Sequence, residues 1–473
     1  MQKKLLAVAV AGALAAPVAA MAQSSVTISG AVNIWYETAS ATGATNSASP
    51  GSTLSTFDVK SRDRIQDGAG SNIRFTAVED IGSGMQGFMQ IESAVINNAN
   101  TRNDATGTSA QPVGTGGIQS SGGWATRNSG VGLRGQAWGE ILIGIWDIHY
   151  NEMWTVDNQL IKGASHNAAL ALMNSFGLAG SQTSAGGVGS VSIGGRYSNV
   201  IRYQSPNWAG FNFRASYARP SDNAVSTTAG SAIEGKKNTV FNIAPNWSNG
   251  PIIVGFSYLQ DKDFSMGAPS LFTGATSVTN GVGGPALAFP GVTNRGTVTS
   301  NRLWGSYTFP FGLKLGLAYD TSKLKVQSVG TITAGVGAPV GDSEIKRNVW
   351  AIPISWNTGA HTIFATYAQS DKLKGSIGQA GTAPSVDLSN IIVTPAGTGA
   401  AAVGDVSSNS KAKFYSVGYQ FDLSKRTNLH VSYNQIKNDS LGGYDFFANP
   451  VGMSTGNFGA DPRIIELGLR HAF

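Results

Sequence analysis

The 473-residue sequence contains 61 glycines and no cysteine, only 13% of its residues are charged, and its formal net charge is +6. The charged fraction is about half that of a typical soluble domain. The absence of cysteine excludes disulfides and thiol chemistry, and the lack of basic clusters with interleaved aromatic residues argues against a nucleic-acid partner.

The first 22 residues have the organisation of a secretory signal peptide. Two lysines precede an apolar run, and the small-x-small sequence Ala20-Met21-Ala22 follows it. A membrane anchor is the alternative, but the run is shorter than the roughly 20 apolar residues that span a bilayer, and no other stretch reaches that length. We therefore expect residues 1–22 to be cleaved and residues 23–473 to form one exported domain.

Apolar and polar residues alternate through most of the remaining chain. The stretches FNFRASYA, RLWGSYTF, LKLGLAYD and NLHVSYN each carry apolar residues at every second position. A period of two is typical of β-strands, because successive side chains point to opposite faces.

The connections between these strands are predicted to alternate between short and long. Short turns are expected at 82–84, 137–138, 206–210, 247–250, 311–312, 357–360 and 423–427. Long segments rich in Gly, Ser, Thr, Ala and Asn cover roughly 39–69, 97–123, 147–196, 220–237, 261–300, 324–344, 372–411 and 438–461. Seven turns and eight loops join sixteen strands, and this asymmetry is typical of outer-membrane barrels.

The predicted fold is all-β, a sixteen-stranded antiparallel transmembrane β-barrel with short periplasmic turns and long extracellular loops. A soluble β-sandwich also alternates and is the competing interpretation. The export signal, the loop asymmetry and the aromatic residues at strand ends favour the barrel, since such residues prefer the membrane boundary.

Several stretches in order resemble the Gram-negative general porins of the betaproteobacterial type. The stretches are SSVTISGAVNIWYE, SNIRFTAVEDIGSGMQGFMQIES, RNSGVGLRGQAWGEILIGIWD, YSNVIRYQSPNWAGFNF, LSKRTNLHVSY and LGLRHAF. The resemblance implies a trimeric outer-membrane porin that lets small hydrophilic solutes and ions diffuse passively, and a third loop that folds into the barrel. It also implies contact with outer-membrane lipid and lipopolysaccharide, and recognition by the barrel-assembly machinery.

In that family, acidic groups on the third loop face basic groups on the barrel wall. The corresponding loop here supplies Asp147, Glu152 and Asp157, and its stretch ASHNAALALMNSF is compatible with a short helix. The wall candidates are Arg127 and Arg202, placed by the resemblance, and Arg74 and Arg214, placed by strand parity. A surface loop for the acids, and a rim or head-group contact for the arginines, are the structural alternatives.

Two departures from the family pattern affect the predicted constriction. Asn72 and Ile145 stand where the family often has arginine, although Arg74 lies on the same face as Asn72. A less basic wall leaves ion selectivity open and keeps a solute-specific channel as an alternative.

Other functions find less support in the sequence. The five histidines have no metal-ligand spacing, so neither a metal nor another cofactor is expected. A barrel enzyme would use a set such as His430, Ser432 and Asn434, but a polar lumen explains that spacing better, and we expect no enzymatic activity. A surface adhesin or receptor, built on the long loops, is a further alternative.

The final stretch DPRIIELGLRHAF reads as the strand that closes the barrel against VTISGAVNIWYE. Ile465, Leu467 and Leu469 would face lipid. Glu466 and Arg470 would face the lumen or its periplasmic mouth. An unpaired strand edge in lipid costs several kcal/mol per group, so this strand must be paired. In the family a terminal aromatic, here Phe473, also acts as an assembly signal.

Overall fold

Sixteen antiparallel strands follow one another around a closed ring in the computed structural model. The strands are β1 Ser25–Thr42, β2 Val59–Asp67 continued by Asn72–Gly82, β3 Met85–Ala94, β4 Ser129–Gly135, β5 Gly139–Ile148, β6 Gly195–Gln204, β7 Phe211–Ala218, β8 Thr239–Asn249, β9 Ile252–Met266, β10 Thr293–Thr308, β11 Leu313–Val329, β12 Ser343–Thr358, β13 His361–Ser370, β14 Ala412–Asp422, β15 Thr427–Asn438 and β16 Asp461–Ala472. The predicted fold class is confirmed.

The structure describes most of the chain beyond the predicted leader. The described residues are 25–44, 58–67, 70–95, 124–157, 168–177, 192–220, 238–266, 277–280, 293–329, 343–377, 386–387, 391–394, 404–405, 407–446, 451–453 and 459–473. The predicted signal peptide, residues 1–22, lies outside them and stays a prediction.

Pairing between β1 and β16 closes the ring. The register runs from Ala31 opposite Ala472 to Thr42 opposite Asp461. Beyond it, the backbone N–H of Gly30 donates to the carbonyl oxygen of Phe473, and the N–H of Phe473 donates to that of Gly30, each at 3.0 Å. The other edge of β1 pairs with both segments of β2. The predicted seam therefore leaves no free backbone edge, as a strand in lipid requires.

The two faces of the strands have the polarity of a membrane barrel. On β16, Ile465, Leu467 and Leu469 are 48%, 61% and 48% exposed, whereas Glu466 is 1% exposed. Exposed apolar and buried polar side chains are the reverse of a soluble β-sandwich, whose apolar face is buried. The sandwich alternative is thereby excluded.

Three long loops are shorter than predicted because their flanking strands continue. The segments affected are 39–69, 261–300 and 324–344, into which the described strands extend. Outward residues there are polar, such as Lys323 and Lys325 on β11. Once a strand leaves the hydrocarbon layer its outer face need not be apolar, so the alternation fades while the hydrogen-bond ladder persists.

Elements outside the ring are small. Ser277–Asn280, Ile391–Thr394 and Gly404–Asp405 form a separate three-stranded sheet. Lys374–Ile377, after β13, pairs with the outer end of β12. Among the described residues, no helix has the length and apolar character needed to cross a membrane.

Candidate functional site

The third long loop, which follows β5, folds against the inner face of the barrel. Its α-helix Leu170–Met173 is completely apolar and buried. It belongs to one buried cluster with apolar inward side chains of the wall, namely Trp304, Ala318, Val349, Ala351 and Phe414. In the same loop, Val156 lies against Gly316 of β11. The inward-folded loop and the short helix expected within ASHNAALALMNSF are confirmed.

Two arginines and one aspartate on neighbouring strands hold this loop in place. Arg302 on β10 and Arg347 on β12 flank Asp320 on β11, with N–O distances of 2.9 and 2.6 Å, and all three side chains are fully buried. Both guanidinium groups donate to the carbonyl oxygen of Met173, at 2.9 and 3.0 Å. Carbonyl groups at a helix C-terminus lack helical partners, so the arginines satisfy them.

His149 connects the start of the loop to the same cluster. Its Nδ1 lies 2.8 Å from Ser257 Oγ and its Nε2 lies 3.0 Å from Ser300 Oγ. Burial, reinforced by the positive charge of Arg302, lowers the pKa of His149 well below its ordinary value. The imidazole is therefore neutral at neutral pH and acts as an anchor of the loop.

The opposite wall carries charged side chains that are partly exposed. Arg74 on β2 and Arg127, just before β4, both pair with Glu92 on β3, at 3.0 and 2.6 Å. Asn72 donates to the same carboxylate at 2.6 Å. Asn72 stands where the family often has an arginine, but Arg74 supplies a guanidinium group to the same Glu92 carboxylate.

Asp147 lies on β5 and not in the loop, because that strand continues to Ile148. Its carboxylate pairs with Arg196 on β6 at 2.9 Å. Asn128 donates to the carboxylate at 2.9 Å, and Arg196 donates to the Asn128 amide oxygen at 3.1 Å. Asp147 therefore belongs to the charged wall, whereas the sequence had placed it opposite that wall.

The two other predicted wall arginines pair with acids from different elements, one on a neighbouring strand and one on the third loop. Arg202 pairs with Glu140 of the neighbouring strand β5 at 3.1 Å and stacks over the Trp146 ring. Arg214 on β7 pairs with Glu152 of the third loop. Of the predicted site residues, this pair alone joins a loop acid to a wall arginine within the described part of the chain.

Asp157 stays within the folded loop. Its carboxylate faces the backbone N–H groups of Ala169 and Leu170, although neither oxygen closes a full hydrogen bond. Burial raises the pKa of Asp157 to about 7, and the charges of Arg302 and Lys314 oppose that shift. The carboxylate therefore titrates near neutral pH inside the loop.

Several residues of the site were not singled out from the sequence. They are Glu92, Arg196, Asp320 and Arg347, together with the anchoring role of Arg302. Strand parity places these side chains inside the barrel, but their partners depend on the register, which sets Arg302 opposite Asp320 and Arg74 opposite Glu92. One sequence contains no direct signal for that register.

Comparison with known proteins identifies the family. A sequence profile of Gram-negative porins matches residues 7–441. The chain belongs to this porin family. An outer membrane porin protein of Bordetella pertussis is 27% identical over 380 residues, which cover 79% of this chain and 78% of that protein. The porin therefore forms a channel in the outer membrane.

Solved structures share the porin's architecture. The anion-selective porin from Comamonas acidovorans superposes with a TM-score of 0.58 at 20% identity, covering 95% of this chain and 100% of that one. The trimer form of OmpT from Vibrio cholerae gives 0.52 at 13% identity, with 95% and 99% covered. At these identities the likeness concerns the fold.

In this porin the loop after β15 also folds inward and meets the third loop. The Tyr444 hydroxyl and Ser370 Oγ share a hydrogen bond of 2.6 Å, and the Tyr444 ring lies over Gly177. The N–H of Gly443 donates to the carbonyl oxygen of Gly177 at 2.9 Å. Asp445 fixes the turn by accepting four backbone N–H bonds, from Phe446, Val451, Gly452 and Met453. Two loops therefore fill the same side of the lumen.

Proposed function

We propose that the porin passes small hydrophilic solutes by diffusion between the third loop and the wall formed by β2–β7, and that it favours anions. The supporting observation is the unequal exposure of the charges. The side chains of Arg74, Arg214 and Arg127 are 40%, 30% and 19% exposed, whereas their partners Glu92 and Glu152 are 2% and 5% exposed. At these two carboxylates a solute in the lumen meets guanidinium groups, whereas in the Arg202–Glu140 pair the exposures are 8% and 25%.

The electrostatic consequence is a positive potential along the solute path. A water-filled passage with low-dielectric walls concentrates ions of the opposite sign. The third loop and the loop after β15 cover the apolar and fully paired side of the lumen, so the solute path lies along the opposite wall with its partly exposed arginines. The anion selectivity in the name of the Comamonas relative agrees with this proposal.

Replacing wall arginines tests the proposal. We expect Arg214→Gln, Arg74→Gln and Arg127→Gln each to lower the ratio of anion to cation permeability, measured from the reversal potential in a salt gradient across a planar bilayer. Lys413→Gln is the control, because this exposed lysine faces outward on β14. An unchanged ratio in all three arginine variants, or an equal change in the control, would contradict the assignment.

The meeting of two loops in one side of the lumen favours a solute-specific channel as the second candidate. Specific binding would make the solute flux saturate with concentration, whereas free diffusion stays linear. Flux into liposomes measured over a series of sugars and organic anions separates the two functions. Saturation for one solute class alone would support the specific channel.

We propose a homotrimer that associates through β3, β4 and β5. The outward side chains of these strands are aliphatic: Met85, Met89, Val131, Leu133, Ile141 and Ile143. Outward tyrosine and tryptophan residues are instead concentrated on β7–β15, where aromatic belts would contact the lipid boundary, although Tyr36 on β1 and Trp124 before β4 are also exposed. The chain lacks cysteine, so Leu133→Cys should cross-link protomers and Leu317→Cys on β11 should not. The reverse pattern would refute this interface.

We further propose that the chain has no catalytic activity. Ser432 donates to Glu466 at 2.7 Å, and neither ring nitrogen of His430 has a hydrogen-bond partner among the described residues, so no nucleophile is activated there.

We also propose that Phe473 helps the assembly machinery recognise the barrel. Phe473→Ala should lower the amount of folded barrel in the outer membrane, measured by heat-modifiable mobility. Unchanged assembly would contradict the role of Phe473.

A further inference from the structure

Five polar side chains form a patch on the inner face of the barrel, beside the seam between β1 and β16. They are Asn33 on β1, Gln420 on β14, Asn428 and His430 on β15, and Arg470 on β16. Arg470 lies directly across from both Asn33 and Asn428, and Gln420 lies directly across from His430. Residues opposite one another in an antiparallel pair project to the same face. We call these five residues the seam patch.

Seven side-chain atoms of the seam patch are buried and have no hydrogen-bond partner in the part of the chain that the structure describes. They are both amide atoms of Asn33, both ring nitrogens of His430, the amide oxygens of Gln420 and Asn428, and Nε of Arg470. Asn33, Asn428 and His430 are only 0%, 7% and 1% exposed. Folded proteins leave few buried polar groups unpaired, because each such group has lost its bonds to water without replacement. Their concentration on four neighbouring strands points to a polar ligand.

The seam patch offers hydrogen-bond donors and acceptors together. The amide oxygens of Asn33, Gln420 and Asn428 accept, whereas the amide nitrogen of Asn33 and Nε of Arg470 donate. A neutral imidazole at His430 adds one donor and one acceptor. An anion would require donors and a cation would require acceptors, whereas a hydroxyl group both donates and accepts. The patch therefore matches a ligand with several neighbouring hydroxyl groups.

The single positive charge of the seam patch is balanced. Arg470 interacts electrostatically with the carboxylate of Asp422, the last residue of β14. Gln420 Nε2 donates to the same carboxylate at 2.7 Å, which fixes its position. On the opposite wall, by contrast, Arg74 and Arg214 are more exposed than the carboxylates with which they pair. The seam patch therefore favours an uncharged ligand, whereas the arginines favour anions.

An aromatic side chain borders the seam patch. Trp35 follows Asn33 by two positions on β1, and its ring stands edge-on to the His430 ring with the centroids 6.5 Å apart. His430 lies over Gly468 of β16, where a Cβ would meet the imidazole. Binding sites for small molecules typically combine an apolar surface with a few placed polar groups, and the patch has both.

The seam patch has a partly exposed edge toward the periplasm. Gln420 and Arg470 are only half-buried, and they lie near the turn at 423–427. The buried apolar residues of the same strands, such as Phe414 and Ile464, lie further toward the extracellular end, where the inward loops pack. A solute in the lumen can therefore reach the patch from the periplasmic side.

We propose that the seam patch binds a neutral polyhydroxyl solute of monosaccharide size. The distance from Asn33 to Asn428 is two strand spacings, or about 10 Å, and the two rows of the patch are about 7 Å apart along the strands. Hydroxyl groups around one sugar ring can meet both rows. The inference rests on the proposed passage of solutes through the lumen, but it does not depend on the preference for anions.

Binding of D-glucose by the full mature porin in detergent tests this site. The dissociation constant is measured by ligand-observed nuclear magnetic resonance, with D-glucuronate, D-glucosamine and cyclohexanol as comparison ligands. His430→Phe keeps a ring over Gly468 and removes both ring nitrogens, and Asn428→Leu removes an amide of the same row as Arg470. His361→Phe is the matched control, because it removes an exposed imidazole from the outer face of β13. Conductance of the unmodified porin and of the control is measured on the same samples.

We expect His430→Phe and Asn428→Leu each to bind glucose about tenfold more weakly than the unmodified porin, whereas His361→Phe keeps its affinity. Replacing an unpaired buried polar group by an apolar one of the same shape costs little stability, so His430→Phe should fold. The charged sugars and cyclohexanol should bind more weakly than glucose.

Equal glucose affinity in the two patch variants and the unmodified porin would overturn the proposal, as would an equal loss in the control. Glucuronate or glucosamine binding as tightly as glucose would also overturn it, because the ligand would then not need to be neutral. Normal conductance without glucose binding would overturn the seam patch and leave the channel intact. Glucose binding without conductance would contradict the channel and support the patch.

Discussion

At the scale of single residues, buried charges determine how the third loop is held. Asp320 compensates both Arg302 and Arg347, and these arginines bind the loop through backbone carbonyl groups. Removing one partner of a buried ion pair leaves an unpaired charge, which costs about 3–5 kcal/mol. The loop position therefore depends on side chains that the solute does not meet.

Asp320→Asn should release the loop from the wall, because two buried guanidinium groups would lose their counter-charge. We expect a higher and noisier single-channel conductance together with a lower thermal stability. Glu344→Gln is the control, since that carboxylate pairs with lysines on the outer face. If the current of Asp320→Asn matched that of the unmodified porin, the anchoring role would be wrong.

Asp157 makes the loop sensitive to pH. Its pKa is raised to about 7 by burial, compared with about 3.9 in an unfolded chain. Between these values the folded loop retains a proton that the unfolded loop releases, so its stability falls as pH rises from about 4 to about 7. We expect current noise to increase over this window and Asp157→Asn to remove the increase. Equal pH dependence in the variant would refute this explanation.

At the scale of elements, two loops stabilise each other inside the barrel. Gly177 has a φ of +61°, and a Cβ there would meet the Tyr444 ring. The ring can therefore lie directly on the loop backbone. The Tyr444 hydroxyl is hydrogen-bonded to Ser370, the last residue of β13, and this bond also fixes the Tyr444 side chain.

Tyr444→Ala should free the loop after β15, since removal of a buried aromatic side chain typically costs about 3–5 kcal/mol. We expect increased conductance and faster proteolysis of that loop. Tyr444→Phe keeps the ring and should stay close to the unmodified porin. If both variants behaved alike, the contact between ring and backbone would not be what holds the loop.

The sequence predicted strands and turns better than it predicted loop boundaries or partners. Alternation identifies a strand where one face contacts lipid, as for Leu315 and Leu317 on β11, but it fades at Lys323 although the strand continues. Strand parity also predicted part of the site, namely which side chains point into the barrel, but not which of them pair. Parity placed Arg74 and Arg214 inside, whereas pairing of Glu92 with two arginines depends on contacts between strands that are distant in sequence.

At the scale of the whole molecule, the barrel has two outward regions and one asymmetric lumen. Aliphatic side chains cover β3–β5, and outward tyrosine and tryptophan side chains are concentrated on β7–β15. Inside, loops cover one wall and arginines are exposed on the other. This division assigns assembly and lipid contact to the outer face and solute selection to the inner face.

The reversal potential of the unmodified porin in a salt gradient tests the central claim most directly. The porin is reconstituted in a planar bilayer with potassium chloride at different concentrations on the two sides. We predict a reversal potential with the sign of chloride preference, because Arg74, Arg127 and Arg214 are more exposed than the carboxylates with which they pair. A potential with the sign of potassium preference, or no conductance at any voltage, would contradict the account.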